Sequence, residues 1–318
     1  MTLRLVRCED ARAWDAFAAR SPQGSVFCST AFLDVQAPGY ELWLVEEAGR
    51  PQLGAVVLTR QGRARAEPAP FALYQGLLFS AKWDELPPHS RPRWALPLCE
   101  TLLAGLTERY DRLCFTLHPE FSDLRPLQWF NYARPDRGRF SLELAYTGII
   151  DLASDFDDYL ASIRPSRRRQ WRGAREEGLC ASPSADLEVL ERLDALTFAR
   201  QGLSRSDEER TLVGAIARAA CSAGFGELLV CRDPAGRALA ATLFLFDQRC
   251  GYYLIGANDP AARGVHAGGY LFAESLRRCH ARGLRRVDVC GVNSPNRGDF
   301  KTSFNARPVP YFVASWPR

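Results

Sequence analysis

Apolar and polar positions alternate twice along this chain in the same way. Tyr40 to Val45 reads as a strand, Ala48-Gly49-Arg50 as a turn, and Leu53 to Leu58 as a second strand, which together predict a β-hairpin. The pattern recurs as Gly226 to Val230, a turn through Pro234-Ala235-Gly236-Arg237, and Leu239 to Leu245. The first hairpin is followed by an apolar run from Phe71 to Phe79, a helix carrying Trp94, Leu98 and Leu102, and a strand at Arg112 to Leu117. The second is followed by Tyr252 to Gly256, a helix carrying Leu271, Ser275, Leu276 and Cys279, and a strand at Arg286 to Val289. One element order used twice, each time in a stretch long enough to bury its own core, implies a duplicated α/β domain and excludes a solenoid. Ahead of the first hairpin stand a strand at residues 3–7, a helix capped by Asp10 with Trp14, Phe17 and Ala18 on one face, and a short helical piece at 31–35 closed by Pro38-Gly39.

The change of domain is expected near Tyr146, giving domains of 1–145 and 146–318. There the polar stretch Ala133 to Arg139 gives way to the apolar run Leu142 to Leu152 and an acidic helix start at Ser154-Asp155. The next helix carries Arg164, Arg167, Arg168, Arg169, Arg172 and Arg175, broken by Trp171, a density of charge that suits a phosphate-rich partner. A chain of 318 residues accommodates two such domains, and 47% hydrophobic with 25% charged residues is the composition of a folded globular protein. The net charge of +4 permits an anionic partner without requiring one.

The ten cysteines are scattered and include no C-x-x-C pair, and several lie inside apolar runs, as in Leu113-Cys114-Phe115, where a free thiol behaves as a small buried hydrophobe, so a reducing compartment is expected. The first residues contain no apolar signal core, and no apolar run approaches the ~18 residues of a membrane span, so the expected location is the cytoplasm. No G-x-S-x-G, H-E-x-x-H or P-loop is present, and no metal site is expected.

The candidate chemistry concentrates between Leu284 and Tyr311. A strand at Val287 to Cys290 stops at Gly291 and opens into a polar loop through Asn293, Pro295, Asn296, Arg297 and Gly298, which closes on Phe300-Lys301. Lys301 is one of two lysines among 41 basic residues; a solvated cation in this chain is otherwise an arginine. Two histidines stand where a proton acceptor is useful, His118 after the strand at 113–117 and His266 in the glycine-rich segment Ala261 to Gly269. Gly268 and Gly269 at a helix start leave N–H groups free for a phosphate, with Arg263 adding charge; equally, they relieve crowding. Asp123, Arg125 and Trp129 form a polar and aromatic cluster suited to an acceptor headgroup. In the first copy the segment Lys82 to Arg93 holds Pro87, Pro88 and Pro92, which remove donors that a phosphate would use, so that copy is expected to shape the acceptor side.

This arrangement resembles the GNAT acyltransferase fold, and the duplication resembles the Fem-type transferases, which are tandem GNAT domains. The resemblance is carried by Ile149-Ile150-Asp151-Leu152, by the arginine-rich helix ending Ala174-Arg175-Glu176-Glu177-Gly178, by Tyr252-Tyr253-Leu254-Ile255-Gly256, and by Asp288-Val289-Cys290-Gly291 followed by Phe300-Lys301, Phe304 and Pro310-Tyr311. It implies an α/β fold of two tandem GNAT-like domains, each a mixed sheet flanked by helices. It also implies formation of an amide bond by transfer of an aminoacyl group from charged tRNA, or an acyl group from acyl-CoA, to an amine on a cell-wall, polysaccharide or peptide precursor. Neither co-substrate is a resident cofactor. In the Fem enzymes a Phe-Lys pair at this point holds the tRNA end and stabilises the reacting carbonyl; the matching residues are Phe300 and Lys301, with Tyr253, Arg168 and Arg172 on the same donor side. The GNAT pyrophosphate loop is not in register at residues 261–269. A second class of function, an inactive tandem GNAT that binds nucleic acid or protein, stays open on the sequence.

Overall fold

The hairpin at residues 40–58 closes through Ala48 and Gly49, both with positive φ (50° and 74°), the backbone that matches the twist of the flanking strands. A computed structural model describes residues 2–316. In it the chain forms two units, residues 2–145 with 310–316, and residues 146–309. The segment from 310 onward therefore belongs with the first unit and not, as expected, with the second. Its partner strand, which pairs Val313 with Thr116, lies too far away in sequence for local pattern to show.

The first unit contains β1 (Leu3–Arg7), α1 (Ala11–Arg20), α2 (Thr30–Gln36), β2 (Tyr40–Glu47), β3 (Arg50–Arg60), β4 (Arg63–Ala64), β5 (Leu77–Phe79), α3 (Lys82–Glu85), α4 (Arg91–Arg109), β6 (Leu113–Thr116) and α5 (Arg125–Trp129). Strands β1, β2, β3 and β5 are joined in antiparallel order. One face carries Trp43, Val45, Ala55 and Val57 against Leu98, Leu102 and Leu106 of α4. The other carries Leu42, Leu44, Val56 and Leu58 against Trp14 and Phe17 of α1. Period-two strands meeting period-3.6 helices on both sides are what the sequence pattern requires. The apolar run at 71–79 yields only a three-residue strand, because Phe71 and Tyr74 adopt positive φ (58° and 55°) and turn the chain before it. All ten cysteines are free thiols.

The chain leaves the first unit within β7 (Ser141–Asp151). The second unit continues with α6 (Phe156–Ser162), α7 (Pro165–Glu176), β8 (Cys180–Pro183), α8 (Leu187–Ala199), α9 (Asp207–Ala223), β9 (Gly226–Arg232), β10 (Ala238–Phe246), β11 (Cys250–Asn258), α10 (Ala267–Ala281), β12 (Arg286–Asp288), α11 (Pro295–Thr302) and β13 (Arg307–Trp316), whose end returns to the first unit. Its sheet runs β8-β9-β10-β11-β12 and then residues 149–151 of β7. The β11–β12 pair is parallel and the others are antiparallel. Helices α7 and α10 cover one side, and α8 and α9 pack on β9, β10 and β11. Sheets flanked by helices make this an α/β fold; the second unit's sheet is mixed, whereas the pairs of β1, β2, β3 and β5 in the first are antiparallel and not mixed as expected. Asp155 and Asp186 cap α6 and α8 through their carboxylates, and a capping box between Ser206 and Glu209 starts α9.

Trp14 is fully buried and its indole N–H donates to the Cys28 carbonyl at 2.8 Å. Trp14→Phe keeps most of the apolar contact and deletes that bond, so urea unfolding should show a loss of about 1–3 kcal/mol. An unchanged midpoint would show that the indole is held by packing alone.

Candidate functional site

Strands β11 and β12 pair only over Cys250↔Arg286, Gly251↔Val287 and Tyr252↔Asp288, and then part. Both strands contribute to the separation. In β11 the register against β10 shifts between Ile255↔Leu243 and Tyr253↔Phe244, leaving Leu254 as an extra residue and bending the strand. Strand β12 stops at Asp288 and not, as expected, at Cys290. The Asp288 carboxylate accepts a hydrogen bond from its own Cys290 N–H at 2.7 Å, curling the chain so that Cys290 and Gly291 take positive φ (55° and 96°). Asp288 is 2% exposed, and its charge is met by the hydroxyl of the fully buried Thr147, which in turn accepts from the Gly291 N–H at 3.2 Å.

Beneath this turn lies Lys301. The residues from 295 form α11, so Phe300 and Lys301 sit in the last turns of a helix and not at the end of the expected polar loop. Pro295 opens that helix, a position where a missing N–H costs nothing. Of the expected loop residues, Asn296 and Arg297 have side chains outside the described residues. The helix is tied down from outside by Arg164 to Asp299 at 2.8 Å, an exposed ion pair that holds the Asp299 carboxyl below its ordinary range. Tyr159 adds a bond from its hydroxyl to the Phe304 carbonyl at 2.8 Å. Lys301 is 9% exposed, and its ammonium donates to the carbonyls of Val289 at 2.6 Å and Gly291 at 2.7 Å. Those carbonyls belong to the segment where β12 would have continued pairing with β11. The Lys301 ammonium therefore supplies donors at the place where the ladder ends. It also lies 5.7 Å from the centre of the Tyr253 ring, on the neighbouring strand.

Aromatic rings line the same region. Phe272 contacts Tyr253, Phe300 and Phe304 at centroid distances of 4.7, 5.6 and 4.7 Å. Arg167 of α7 closes the cluster, its guanidinium 5.0 Å from the Phe300 ring and 5.5 Å from Phe304, with Nε donating to Ser303 at 2.7 Å. Burial lowers the Arg167 pKa, the nearby Arg164 adds to this, and Asp299 opposes it. The start of α10 adjoins the cluster: a Cβ built on Gly269 would lie 3.8 Å from Arg167 Nη1 and from Gln170 Oε1 and 3.9 Å from Phe304. One on Gly268 would lie 2.1 Å from Asn258 Oδ1, a buried acceptor with no hydrogen-bond partner among the described residues. Gly256 is required on β11 for a related reason, since a Cβ there would meet the Tyr253 hydroxyl at 1.6 Å.

Lys301, Phe300, Tyr253 and Gly269 thus lie about the Phe272 and Phe304 rings in the second unit, and Gly268 lies against Asn258. His266 and Arg263 are exposed in the turn before α10, His266 with φ of 55° as the residue that starts the helix. Arg172 is exposed, and Arg168 donates to the Ala161 carbonyl at 2.9 Å. His118, Asp123, Arg125 and Trp129 belong to the first unit. His118 Nδ1 accepts from the Glu120 N–H at 3.1 Å, and its ring meets Tyr74 edge-on at 4.8 Å. Asp123 is closed on Arg125 at 2.7 Å, a hydrogen bond that holds its carboxyl below the usual range, and Arg125 lies over the Trp129 ring at 5.4 Å. Burial, reinforced by Asp288 and opposed by Lys301, pushes the Cys290 thiol well up.

The sequence named Arg167 only within the arginine-rich run and Asp288 only within the resemblance, and it did not single out Asn258 or Thr147. The inward position of Arg167 was within reach, because Trp171 and Ala174 follow at i+4 and i+7 and mark the inward face of α7. Asn258 and Thr147 carry no such signal.

Comparison with known proteins places this geometry. Residues 161–302 match the family described as acetyltransferase (GNAT) domain. No curated protein sequence matches the chain. Among solved structures, FemX is similar with a TM-score of 0.73 at 14% identity, covering 98% of this chain and 97% of that one. A tandem GNAT protein from the clavulanic acid biosynthesis pathway has a TM-score of 0.56 at 15% identity, covering 99% and 98% of the two chains. The C-terminal domain of a protein named as a lysylphosphatidylglycerol synthetase from Agrobacterium fabrum has 0.52 at 12%, covering 96% and 91%.

Lys301→Met would leave the two carbonyls without the ammonium that bonds them. Chemical denaturation should show a loss of about 1–3 kcal/mol for each buried acceptor so exposed. A variant as stable as the parent would mean that Lys301 does not hold the turn. The split sheet and the glycine-started helix thus lie in the unit that holds the match to the acetyltransferase (GNAT) domain, and the fold of the whole chain is similar to those of FemX and of a tandem GNAT protein.

Proposed function

We propose that the chain transfers an aminoacyl group from charged tRNA to an amine acceptor, forming an amide. The observation that carries the proposal is the buried Lys301 ammonium, pinned by two carbonyls at the end of β12 beside Tyr253. Attack of a neutral amine on the ester carbonyl places negative charge on the carbonyl oxygen. A cation already fixed in position stabilises that charge without reorganising, and such a contribution is worth roughly 3 kcal/mol in the transition state. Collapse of the tetrahedral species breaks the ester C–O bond, the tRNA hydroxyl leaves with a proton, and the amine nitrogen loses one. Of the two candidate histidines, His266 is the one in the same unit as Lys301, and is the residue we assign to that proton.

The tRNA donor is favoured by the outward face of α7. Arg168, Arg169, Arg172 and Arg175 form no ion pair among the described residues and stand on the helix whose inward residue, Arg167, touches Phe300. Charge of this kind, unspent on carboxylates, suits a phosphate backbone. The Fem resemblance supports the same donor and implies an amine acceptor on a cell-wall, polysaccharide or peptide precursor. On this reading the first unit serves the acceptor, with Trp129 as the exposed ring available to it. A second reading, acyl-CoA as donor, rests on the start of α10, where Gly268 and Gly269 bring backbone close to Asn258 and Arg167.

Donor consumption decides between them. Incubated with amine-bearing peptides and amino sugars, the protein should convert the aminoacyl group of charged tRNA into an amide detected by mass, and leave acyl-CoA unchanged. Arg168→Glu with Arg172→Glu should weaken tRNA binding by about tenfold or more and flatten its salt dependence by a slope of roughly 2. Consumption of acyl-CoA alone, with tRNA binding untouched by the double variant, would overturn the tRNA donor.

Turnover tests the role of the lysine. Lys301→Ala should lower turnover by about a hundredfold or more under conditions where the variant is fully folded, and Lys301→Arg should rescue little, because a planar fork cannot occupy the same point. Near-normal turnover in folded Lys301→Ala would assign the residue to structure alone.

A further inference from the structure

The end of the first hairpin holds a second set of polar groups that the transfer reaction does not use. An open cavity of about 900 Å³ is lined by Arg4, Glu46, Glu47, Arg50, Gln52 and Lys82 together with the turn backbone. Its volume lies in the range of small-molecule sites. Gln52 is the extra residue of a bulge, since Val45 pairs with Leu53 and Glu46 with Pro51. It is 8% exposed, and its Nε2 donates to the Arg50 carbonyl at 3.1 Å. That bond fixes the amide so that Oε1 is the buried atom left with no partner among the described residues. Two more buried polar atoms without partners lie next to it. Ser80, whose backbone N–H donates to the Gln52 carbonyl at 2.9 Å, leaves Oγ unpaired. Trp94, whose ring lies 5.5 Å beneath the Lys82 ammonium, leaves Nε1 unpaired. Buried donors and acceptors are ordinarily matched, so the unpartnered Gln52 Oε1 on a residue that lines the cavity marks a place suited to a polar group from outside the chain, with Ser80 and Trp94 behind it.

The charges say which groups. Arg4, Arg50 and Lys82 present cations and Glu46 and Glu47 present carboxylates, yet no ion pair joins any of these five among the described residues. Arg4 and Glu46 are direct cross-strand neighbours, and so are Glu47 and Arg50, positions at which opposite charges commonly pair. A carboxylate is met by Lys82 and an arginine, and an ammonium by the Gln52 amide oxygen and a glutamate. We propose that this cavity binds a small zwitterion with its ammonium and carboxylate close together, that is, an α-amino acid or the equivalent end of a short ligand. The site lies wholly in the first unit and does not rest on the donor assigned to the second.

Calorimetric titration of the full chain with a panel of free L-amino acids, their N-acetyl forms and their amides tests this. At least one free amino acid should bind with a Kd below ~1 mM, and blocking either end should weaken it by about tenfold or more. Gln52→Leu, which replaces an unpaired polar group by an apolar one in the same space, and Lys82→Ser at the rim should each weaken binding by about tenfold. Absence of binding by every amino acid up to ~10 mM would overturn the site. Equal binding of acetate or of the blocked forms would overturn the zwitterion, and binding unchanged in both variants would place it elsewhere.

Discussion

A lysine ammonium held by two backbone carbonyls is the interaction on which the second unit's site depends. A parallel strand pair that separates leaves carbonyls and N–H groups without partners, and buried groups of that kind must be satisfied or the strands close again. Here Asp288, through Thr147 and Cys290, curls the end of β12 away, the bulge at Leu254 bends β11, and Lys301 enters from α11 to bond the carbonyls of Val289 and Gly291. The separation of the strands and the position of the cation are thus one feature. The same two bonds that satisfy the carbonyls at the end of β12 thus fix the Lys301 ammonium in a buried place.

Much of this was legible in the sequence, and the exceptions have physical causes. The two hairpins, the helices of Trp94 and Leu271, and the arginine-rich helix follow from periodicities of 2 and 3.6 that burial enforces. The change of unit at residues 145–146 lies where composition shifts, but the return at 310 rests on pairing with β6. Helix α11 reads as a loop because Pro295, Asn296 and Gly298 favour turns. It is helical because Arg164, Tyr159 and the Lys301 contacts hold it from outside, and tertiary ties of that kind leave no local trace. The end of β12 was misplaced for the converse reason: Val289 and Cys290 suit a strand, and a single buried carboxylate decides otherwise. Lys301 itself was visible through its rarity, while its burial was not.

The two units use one element order to different ends. After the hairpin, the second unit has a nine-residue strand and a helix beginning Ala267-Gly268-Gly269, with N–H groups and little side chain in the way. The first has a three-residue strand and a helix that begins with Arg91-Pro92 and holds Pro97 inside. Proline at these positions removes N–H donors that the helix start of the second unit keeps. The first unit instead concentrates unpaired polar groups at its hairpin tip, around Gln52 and Lys82.

The central claim is that the carbonyl of the donor reacts in the opening between β11 and β12, under the field of Lys301. A crystal structure with a non-reactive amide analogue of an aminoacylated CCA end tests this most directly. The account predicts that the analogue's carbonyl oxygen lies in that opening beside Tyr253, within about 4 Å of Lys301 Nζ, a separation at which a unit charge still interacts strongly. An analogue bound with its carbonyl elsewhere, and strands closed over Lys301, would contradict it.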